Sequence, residues 1–180
     1  MKEINNYIKE KLVINKDSKC KIIKVKDKIE LRSIIEKRAK ESHYLDLTDI
    51  DISNVISLSS LFKREDNIVE VNITGWETKQ VQSMRAMFYE NMYLKKVIGL
   101  GDLNISNVTS MNFMFSNCIN LVDVGDLSQW EINNNISMVC AFQNCKKLKT
   151  LGDITHWRFS ELISNVFSLS PIQPLPKKVV

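Results

Sequence analysis

Phenylalanine recurs at nearly constant spacing through this 180-residue chain, and no other feature of the sequence constrains the fold as strongly. Successive members of the series lie 26, 27, 27 and 25 residues apart: Phe62, Phe88, Phe115, Phe142 and Phe167. A period of this length is typical of repeat proteins, in which each unit buries its apolar face only against its neighbour. The chain is therefore predicted to contain about five stacked units.

Apolar residues precede each phenylalanine at fixed offsets. The position four before it holds Leu58, Met84, Met111, Met138 and Ile163. The position one before it holds Leu61, Met87, Met114, Ala141 and Val166. The position seven before it is valine in the first three units: Val55, Val81 and Val108. Such offsets fall on one face of a helix, so each unit is predicted to contain a helix of about two to three turns.

A short apolar run follows each phenylalanine and predicts one strand per unit. Six residues after it stand Ile68, Leu94, Leu121 and Leu148, and nine after it stand Val71, Val97, Val124 and Leu151. Glycine–aspartate pairs then supply a turn: Gly101-Asp102, Gly125-Asp126 and Gly152-Asp153. Stacking would align these strands as a parallel sheet on one side of the molecule.

Polar residues also occupy columns of the alignment. Serine lies five before the phenylalanine in four units: Ser57, Ser83, Ser110 and Ser137. An amide lies eight before it: Asn54, Gln80, Asn107 and Asn134. These side chains are predicted to cap the helices or to bond the backbone of the neighbouring unit. Cys118 and Cys145 share another column, where free thiols are favoured over a disulfide in a reducing compartment.

One segment of the third unit is specific enough to suggest a family. Residues Ser106–Cys118 read SNVTSMNFMFSNC, which closely resembles the SNVTSMxxMFxxC repeat of the BspA-like leucine-rich-repeat family of bacterial surface proteins and mycoplasma lipoproteins. The segment Asp51–Val55 resembles the approach to the helix in those repeats. The resemblance implies an α/β fold, a leucine-rich-repeat solenoid of about five strand–helix units over residues 46–167. It also implies a non-catalytic protein–protein interaction module.

The two ends of the chain fall outside the repeats. Residues 1–45 are predicted to form an N-terminal α/β capping segment with a helix over 2–12, a strand near Cys20–Val25 and a helix over about 28–41 capped by Asp27. The second helix would turn Ile29, Leu31, Ile34 and Ile35 toward one face and cover the first repeat. Residues 168–180 contain prolines and are predicted to be a flexible tail.

The leader resembles the segment ahead of such repeats in intracellular, often prophage-encoded, members. That resemblance implies an inhibitor of a host defence system, of the anti-CRISPR kind, encoded by a phage or mobile element. A role as a surface adhesion protein is the alternative, and it requires an export signal. The charged N-terminus lacks the apolar stretch of a signal peptide, and no run of about 18 apolar residues occurs, so a cytoplasmic protein without a membrane segment is expected.

Positive charge is concentrated near the N-terminus. Residues 1–41 carry 13 Lys and Arg against 7 Asp and Glu, a net charge of +6, whereas the remainder carries −2. Two interpretations fit this asymmetry, a solvated lysine-rich surface and a nucleic-acid-binding segment. The candidate nucleic-acid-binding residues are Lys21, Lys24, Lys26, Lys28, Arg32, Lys37 and Arg38.

Two faces of the predicted repeats could bind a protein, either a host partner or a second copy. The strand face offers Glu70, Lys95, Lys96, Asp123 and Lys149. The outer helix face offers Arg85, Phe113 and Val139. Phe113 and Val139 are apolar where a solvated helix would carry polar residues, which favours a contact with a partner or with another copy.

Catalytic and metal chemistry are not expected. The two histidines, His43 and His156, have no nucleophile or carboxylate at a recognisable spacing, so the chain is not predicted to be an enzyme. The aspartates of the three glycine–aspartate pairs occupy turn positions, and oxygen-coordinated metals need more ligands than one such column provides. Neither a cofactor nor a small-molecule substrate is predicted.

Overall fold

The computed structural model describes residues 21–159 and 163–172, a mixed α/β chain with short parallel strands in two open sheets. The strands are β1 (Ile23–Lys24), β2 (Tyr44–Asp46), β3 (Ile50–Asp51), β4 (Glu70–Asn72) and β5 (Lys96–Ile98). The helices are α1 (Lys28–Glu41) and the four-residue α2 (Ile163–Val166). The predicted helix over residues 2–12 and the end of the predicted tail lie outside the described residues.

Helix α1 begins and ends where its sequence predicts. The carboxylate of Asp27 accepts a hydrogen bond from the backbone N–H of Glu30 at 2.9 Å, which satisfies a donor in the first turn. The helix buries Leu31, Ile35 and Ala39 against the core. Ile29 instead is 79% exposed, so its predicted place on the buried face is wrong. Two positions separate Ile29 from Leu31, which turns them to different sides of a helix.

Parallel pairing confirms the predicted sheet in the first units. Strands β2, β4 and β5 are neighbours in that order, and Leu45, Val71 and Val97 lie side by side with their side chains buried. A single bridge between Lys96 and Asp123 extends the pairing into the next unit. A separate two-stranded sheet joins β1 to β3. The run that ends at Leu151 forms no strand in the described chain, although Lys149 N–H donates to Val122 O at 3.2 Å.

The helix predicted in the repeats is wrong for the first four units, whereas the fifth contains the one-turn helix α2. Residues 55–64 and their counterparts in the second, third and fourth units form consecutive tight turns. Every second backbone N–H donates to a carbonyl of the next unit: Leu58 to Ser83, Ser60 to Arg85, Phe62 to Met87 and Arg64 to Tyr89, at 2.8 to 3.0 Å. The N–H groups between them close turns three residues back, as Leu61 does to Leu58 at 3.2 Å. Donors used in this way are not available for the bonds of an α-helix.

These turns need a left-handed backbone at two columns of non-glycine residues. Two before the phenylalanine, φ lies between 54° and 60° at Ser60, Ala86, Phe113 and Cys140. Two after it, φ lies between 59° and 65° at Arg64, Glu90, Asn117, Asn144 and Leu169. A side chain in this region costs about 1–2 kcal/mol. Because the left-handed backbone recurs at the same positions of successive units, we attribute it to the shape of the turns.

The core is a continuous column through the stacked units. The five phenylalanine rings lie face to face, with successive centroids 4.7, 4.9, 5.4 and 5.8 Å apart. In the first four units the residues four and one before the phenylalanine are buried too, which confirms the predicted burial there. The α/β class is confirmed, whereas the pairing of each strand with a helix is not.

The polar columns tie neighbouring units together. The amides of Asn54, Gln80 and Asn107 each donate to a backbone carbonyl of the preceding segment, those of Val25, Ile52 and Lys79 respectively. The serine column forms parallel bridges from Ser57 through to Ser137. Bonding to the neighbouring backbone is thus confirmed, and helix capping by these residues is wrong because their four units contain turns at the predicted helix positions.

Helix α1 completes the bonding at the start of the stack. In the second unit, the carbonyls of Arg85 and Met87 accept N–H groups of the first unit, but no repeat precedes the first one. The equivalent carbonyls of Ser59 and Leu61 accept instead from Lys28 Nζ at 3.2 Å and Arg32 Nη1 at 3.0 Å. Helix α1 therefore contacts the first repeat and supplies donors to its carbonyls.

We expect two glycines with the same backbone conformation to differ in their tolerance of alanine. Gly75 and Gly99 both have φ +83°, but a Cβ at Gly99 would lie 2.6 Å from Thr74 N, whereas one at Gly75 meets nothing within 4 Å. Gly75→Ala should lower the free energy of unfolding by about 1 kcal/mol, for the backbone strain alone. Gly99→Ala should lower it by about 2–4 kcal/mol, because a clash is added. Urea unfolding measures the free energy of unfolding of both variants. Equal losses of stability would contradict the close approach of Gly99 to Thr74.

The capping role of α1 predicts unequal effects for two of its cations. Arg32→Ala removes the donor to the Leu61 carbonyl of the first repeat and should lower the free energy of unfolding by about 1–3 kcal/mol. Lys37 is exposed on the same helix, and Lys37→Ala should change it by less than about 0.5 kcal/mol. Thermal and urea unfolding measure the free energy of unfolding of the two variants. A loss for Lys37→Ala as large as that for Arg32→Ala would contradict the cap.

Candidate partner-binding face

The three candidates predicted for the outer face of the repeats lie together, although on turns and not on helices. The N–H of Phe113 donates to the carbonyl of Val139 at 2.8 Å, and the guanidinium of Arg85 lies 5.1 Å from the centroid of the Phe113 ring. Around them the structure places Lys63, Arg64 and Tyr89, which with Arg85 and Phe113 line a shallow depression of about 330 Å³. We call these five residues the turn-face patch: Lys63, Arg64, Arg85, Tyr89 and Phe113.

Aromatic rings and cations alternate across the turn-face patch. The ring of Tyr89 meets that of Phe113 edge to face, with centroids 6.3 Å apart. Lys63 Nζ lies 5.3 Å from the centroid of the Tyr89 ring. Cations at such distances are attracted to the ring face, and the two rings prefer this edge-to-face geometry. The side chains are therefore held in place before any partner arrives.

Glu90 organises the edge of the patch. Arg64 Nε donates to the Glu90 carboxylate, and both side chains extend from left-handed positions of neighbouring units. The hydrogen bond with Tyr89, together with Arg64, lowers the pKa of Glu90. The same bond to Glu90 raises the pKa of Tyr89, so the neutral phenol is the favoured form. Arg64 and Lys63 both act on this carboxylate, and with Arg85 in addition the patch keeps an excess of positive charge.

Phe113 is unusual in its own column. Its counterparts are Ser60, Ala86 and Cys140, all small, and all four have a left-handed backbone. A large apolar ring in this conformation is uncommon, since bulky side chains are disfavoured there. Phe113 is also only partly buried, so the core does not account for its size.

Three residues of the patch were missed by sequence reasoning, which predicted a helix for this region. Lys63 and Tyr89 each follow the repeat phenylalanine directly, and Arg64 is two residues after it. Glu90 stands one repeat after Arg64 in the same column, so the alignment already paired opposite charges. A turn structure, in place of the helix, would have brought these columns to the surface together.

The strand-face candidates form a second surface whose charges compensate one another. Glu70 pairs in register with Lys96, and Lys96 with Asp123, so acid and base alternate across the sheet. Lys96 Nζ lies 3.6 Å from the Asp123 carboxylate. Lys95 and Lys149 are exposed beside this row. The pairing leaves less unbalanced charge here than on the turn-face patch.

A known protein family matches most of this chain. A family model described as "Mycoplasma protein of unknown function, DUF285" matches residues 30–157. The chain belongs to this family. The match begins within α1 and ends at Trp157, so it includes the turn-face patch and four of the five stacked phenylalanines. Neither a search of curated proteins nor a search of solved structures found a match.

The candidate nucleic-acid-binding residues of this DUF285 chain divide into two groups. Lys28 and Arg32 donate hydrogen bonds to backbone carbonyls of the first repeat. Arg38 donates two hydrogen bonds of 2.7 Å to the Asp49 carboxylate, which lowers the pKa of that group. Lys24 lies 3.7 Å from the carboxylate of Asp51. The remaining three are exposed: Lys21, Lys26 and Lys37.

The histidines contact backbone carbonyls, and two of the aspartates accept hydrogen bonds within turns. His43 Nδ1 lies 2.7 Å from the carbonyl of Asn67, and His156 Nε2 lies 3.1 Å from that of Trp130. Asp126 and Asp153 bond the backbone two residues ahead, as predicted for turns. Residues 21–159 and 163–172 contain no group of three or more His, Cys, Asp or Glu placed to hold a metal ion. Within the same residues, no helix is long and apolar enough to cross a membrane.

The two cysteines of the shared column are free and buried, which confirms the predicted core thiols. Cys118 Sγ donates to Phe88 O at 2.9 Å, and Cys145 Sγ donates to Phe115 O at 3.2 Å. Burial raises the pKa of the Cys145 thiol to about 12 and that of Cys118 well above its usual value. Both groups therefore stay protonated, and their role is to bond the preceding unit.

We expect the cysteines to differ sharply in reactivity toward a maleimide. In a Cys20→Ser background, half-exposed Cys140 should react in the native protein, whereas Cys118 and Cys145 should react at least about 100-fold more slowly because the thiolate is the nucleophile. Denaturant should remove the difference. Cys140→Ser is the control, which should abolish the fast reaction. Fast native labelling of Cys118 or Cys145 would contradict their burial.

Proposed function

We propose that this chain is a non-catalytic protein-interaction module that binds an acidic surface of a protein partner through the turn-face patch. The stacked units are taken as a solenoid of about five leucine-rich-type repeats of the BspA-like kind, in which turns replace the expected helices. The ring stack, the parallel bridges and the resemblance of Ser106–Cys118 support that assignment. A rigid stack of this kind holds the side chains of several repeats in one fixed surface.

The observation that carries the proposal is Phe113. A large, partly exposed ring stands where the other units have a serine, an alanine and a cysteine, at a strained backbone position. It lies among three cations and one tyrosine. Aromatic residues and arginine are enriched at the centres of protein interfaces, where they contribute most of the binding energy. A binding role explains this combination.

Charge complementarity suggests the partner's chemistry. Three cations line the patch, Lys63, Arg64 and Arg85, and Arg64 pairs with Glu90 at its edge, so an acidic surface with an apolar centre would fit best. The strand face is the weaker candidate because its charges pair internally. On this proposal the protein acts in the cytoplasm, and inhibition of a host defence system is one biological role that such binding would serve.

We expect substitution of the patch to weaken partner capture without unfolding the protein. Phe113→Ser restores a residue type found in the same column at Ser60, and Arg85→Ala removes a cation from the exposed surface. The partner captured by the wild-type chain, identified by mass spectrometry and purified, should bind the double variant at least about tenfold more weakly by calorimetry. Circular dichroism should be unchanged.

Lys95→Ala and Lys149→Ala on the strand face form the matched control and should leave the affinity within about twofold. The opposite ranking, with loss only in the control, would assign binding to the strand face and reject the patch. Titration with duplex DNA and with RNA at two salt concentrations tests the nucleic-acid alternative. Affinity that falls steeply with salt and is lost in a Lys21, Lys26 and Lys37 alanine variant would favour that alternative.

A further inference from the structure

Two rows of outward-pointing side chains run along the stack where each coil enters the parallel sheet. In the first four units the residue six after the phenylalanine is buried, whereas its neighbours at +5 and +7 are exposed or partly exposed. Backbone hydrogen bonds of 2.8 to 3.2 Å join the +7 residues to one another and to His43, since each N–H donates to the carbonyl before it in the series His43, Val69, Lys95, Val122 and Lys149. Side chains of neighbouring units therefore lie about 5 Å apart along each row.

Lysines dominate the later part of these rows. Lys95 and Lys149 are exposed on the +7 row, two units or about 10 Å apart. Lys147 is exposed on the +5 row, where its Nζ donates to Asn120 Oδ1 at 2.6 Å. None of the three lysines makes an ion pair with a carboxylate of the described residues. Columns +4 to +8 of the four units hold five lysines against three carboxylates, a net charge of +2, the carboxylates being Asp66, Glu70 and Asp123.

An exposed aromatic ring lies beside the lysines. Tyr93 is on the +5 row, where the other units have Asn67, Asn120 and Lys147. The residue is 56% exposed and stands two positions before Lys95. It lines a depression of about 380 Å³ together with His43, Asp66, Asn67 and Val69. Val69 is partly exposed and the other lining residues are exposed, so a ligand in the depression can reach them.

The groups around the depression match a nucleobase. A flat exposed ring beside cations is an arrangement with which proteins bind single-stranded nucleic acid, because bases stack on the ring and phosphates pair with the cations. The amide of Asn67 both donates and accepts, and the carboxylate of Asp66 only accepts. Asp66 therefore favours a base with an exocyclic amino group, such as cytosine, over thymine or uracil. His43 Nδ1 donates to Asn67 O at 2.7 Å, which holds the imidazole in place at the depression.

We infer that the two rows form a binding site for single-stranded nucleic acid, in which a base stacks on Tyr93 and phosphates pair with the lysines Lys95, Lys147 and Lys149. An acidic protein segment would pair with the lysines but leave the ring and the hydrogen-bonding groups beside it unused. A duplex would keep its bases away from the ring. The site shares no residue with the turn-face patch, so the inference does not rest on the proposed protein-binding function.

Fluorescence anisotropy of labelled oligonucleotides tests this site in the full chain. Oligo(dC) of about 12 nucleotides should bind several-fold more tightly than oligo(dT), because thymine lacks the amino group that would donate to Asp66. Three phosphate contacts predict a slope of about −2 for log affinity against log salt concentration. Binding should therefore weaken about 15-fold between about 50 and about 200 mM salt. Oligo(C) and oligo(U) RNA, measured in parallel, show which sugar the site prefers.

Matched variants separate stacking, charge and base recognition. Tyr93→Ala should weaken binding about tenfold, whereas Tyr93→Phe keeps the ring and should stay within about twofold of the wild-type affinity. Lys95→Ala with Lys149→Ala should weaken binding about tenfold and reduce the salt slope to about −0.7, as expected for one remaining phosphate contact. Asp66→Asn should reduce the preference for oligo(dC) over oligo(dT), because an amide also donates.

The charge control is the alanine variant of the leader residues Lys21, Lys26 and Lys37. It removes three exposed lysines outside the two rows and should leave the affinity within about threefold. Circular dichroism should be unchanged in every variant, because all the substituted residues are exposed. Capture of a protein partner through the turn-face patch should survive in Tyr93→Ala, so a failure of either proposal can be recognised separately.

Four results would overturn the assignment. The first is no binding of any strand at about 100 μM protein. The second is binding that Tyr93→Ala and the Lys95 and Lys149 double variant leave unchanged but the leader variant abolishes, which would move the site to the leader. The third is a hexaglutamate peptide that binds more tightly than oligo(dC), which would assign the lysines to an acidic protein. The fourth is duplex DNA that binds as tightly as oligo(dC), which would contradict stacking on Tyr93.

Discussion

The backbone ladder between neighbouring units is the interaction on which the rest of this structure depends. Alternate N–H groups from Leu58 to Arg64 donate to the next unit, and the same pattern continues from Met84 and from Met111. Pairing of this kind satisfies buried backbone donors with no helix in the repeat. It also fixes the distance between units, which lets the phenylalanine rings stack at about 5 Å. The left-handed residues follow from it, because the chain must turn between successive cross-unit bonds.

The backbone hydrogen bonds that each unit donates from its turns all run toward the next unit, so the two ends of the stack differ in which backbone groups lack a partner from another repeat. Each unit donates forward from its turns, so the first unit has carbonyls without a donor from another repeat. Lys28 and Arg32 of helix α1 donate hydrogen bonds to these carbonyls with their charged side chains. Part of the positive charge of the leader is thus required by the fold. The net charge of the leader therefore overestimates its capacity to bind nucleic acid, since a cation that already bonds the protein backbone is less available to bind a phosphate.

The repeat period was readable from the sequence, and the conformation within the repeat was not. Spacing of Phe62 to Phe167 predicted the stack, the buried columns and the parallel strands, and Asp27 predicted the start of α1. The helical interpretation failed because offsets of −7, −4 and −1 fit both an α-helix and a series of turns. The columns at +3, +6 and +9 continue the same step of three through the whole unit. A helix with 3.6 residues per turn would drift away from a step of three, so that continuation was the available signal.

Side chains that depart from their column are where candidate function was readable, and this explains what could be predicted of the sites. Phe113 was identified from the sequence because it is apolar where a solvated helix would carry a polar residue, and the structure places it, partly exposed, on a turn. The contacts of Lys63, Arg64 and Tyr89 with it depend on the turn geometry, which the helical interpretation excluded. Leu103 departs from a tryptophan column in the same way, but a smaller residue looks unremarkable in a sequence. A repeat fold makes such departures informative because the backbone ladder specifies what every other unit does at the same position.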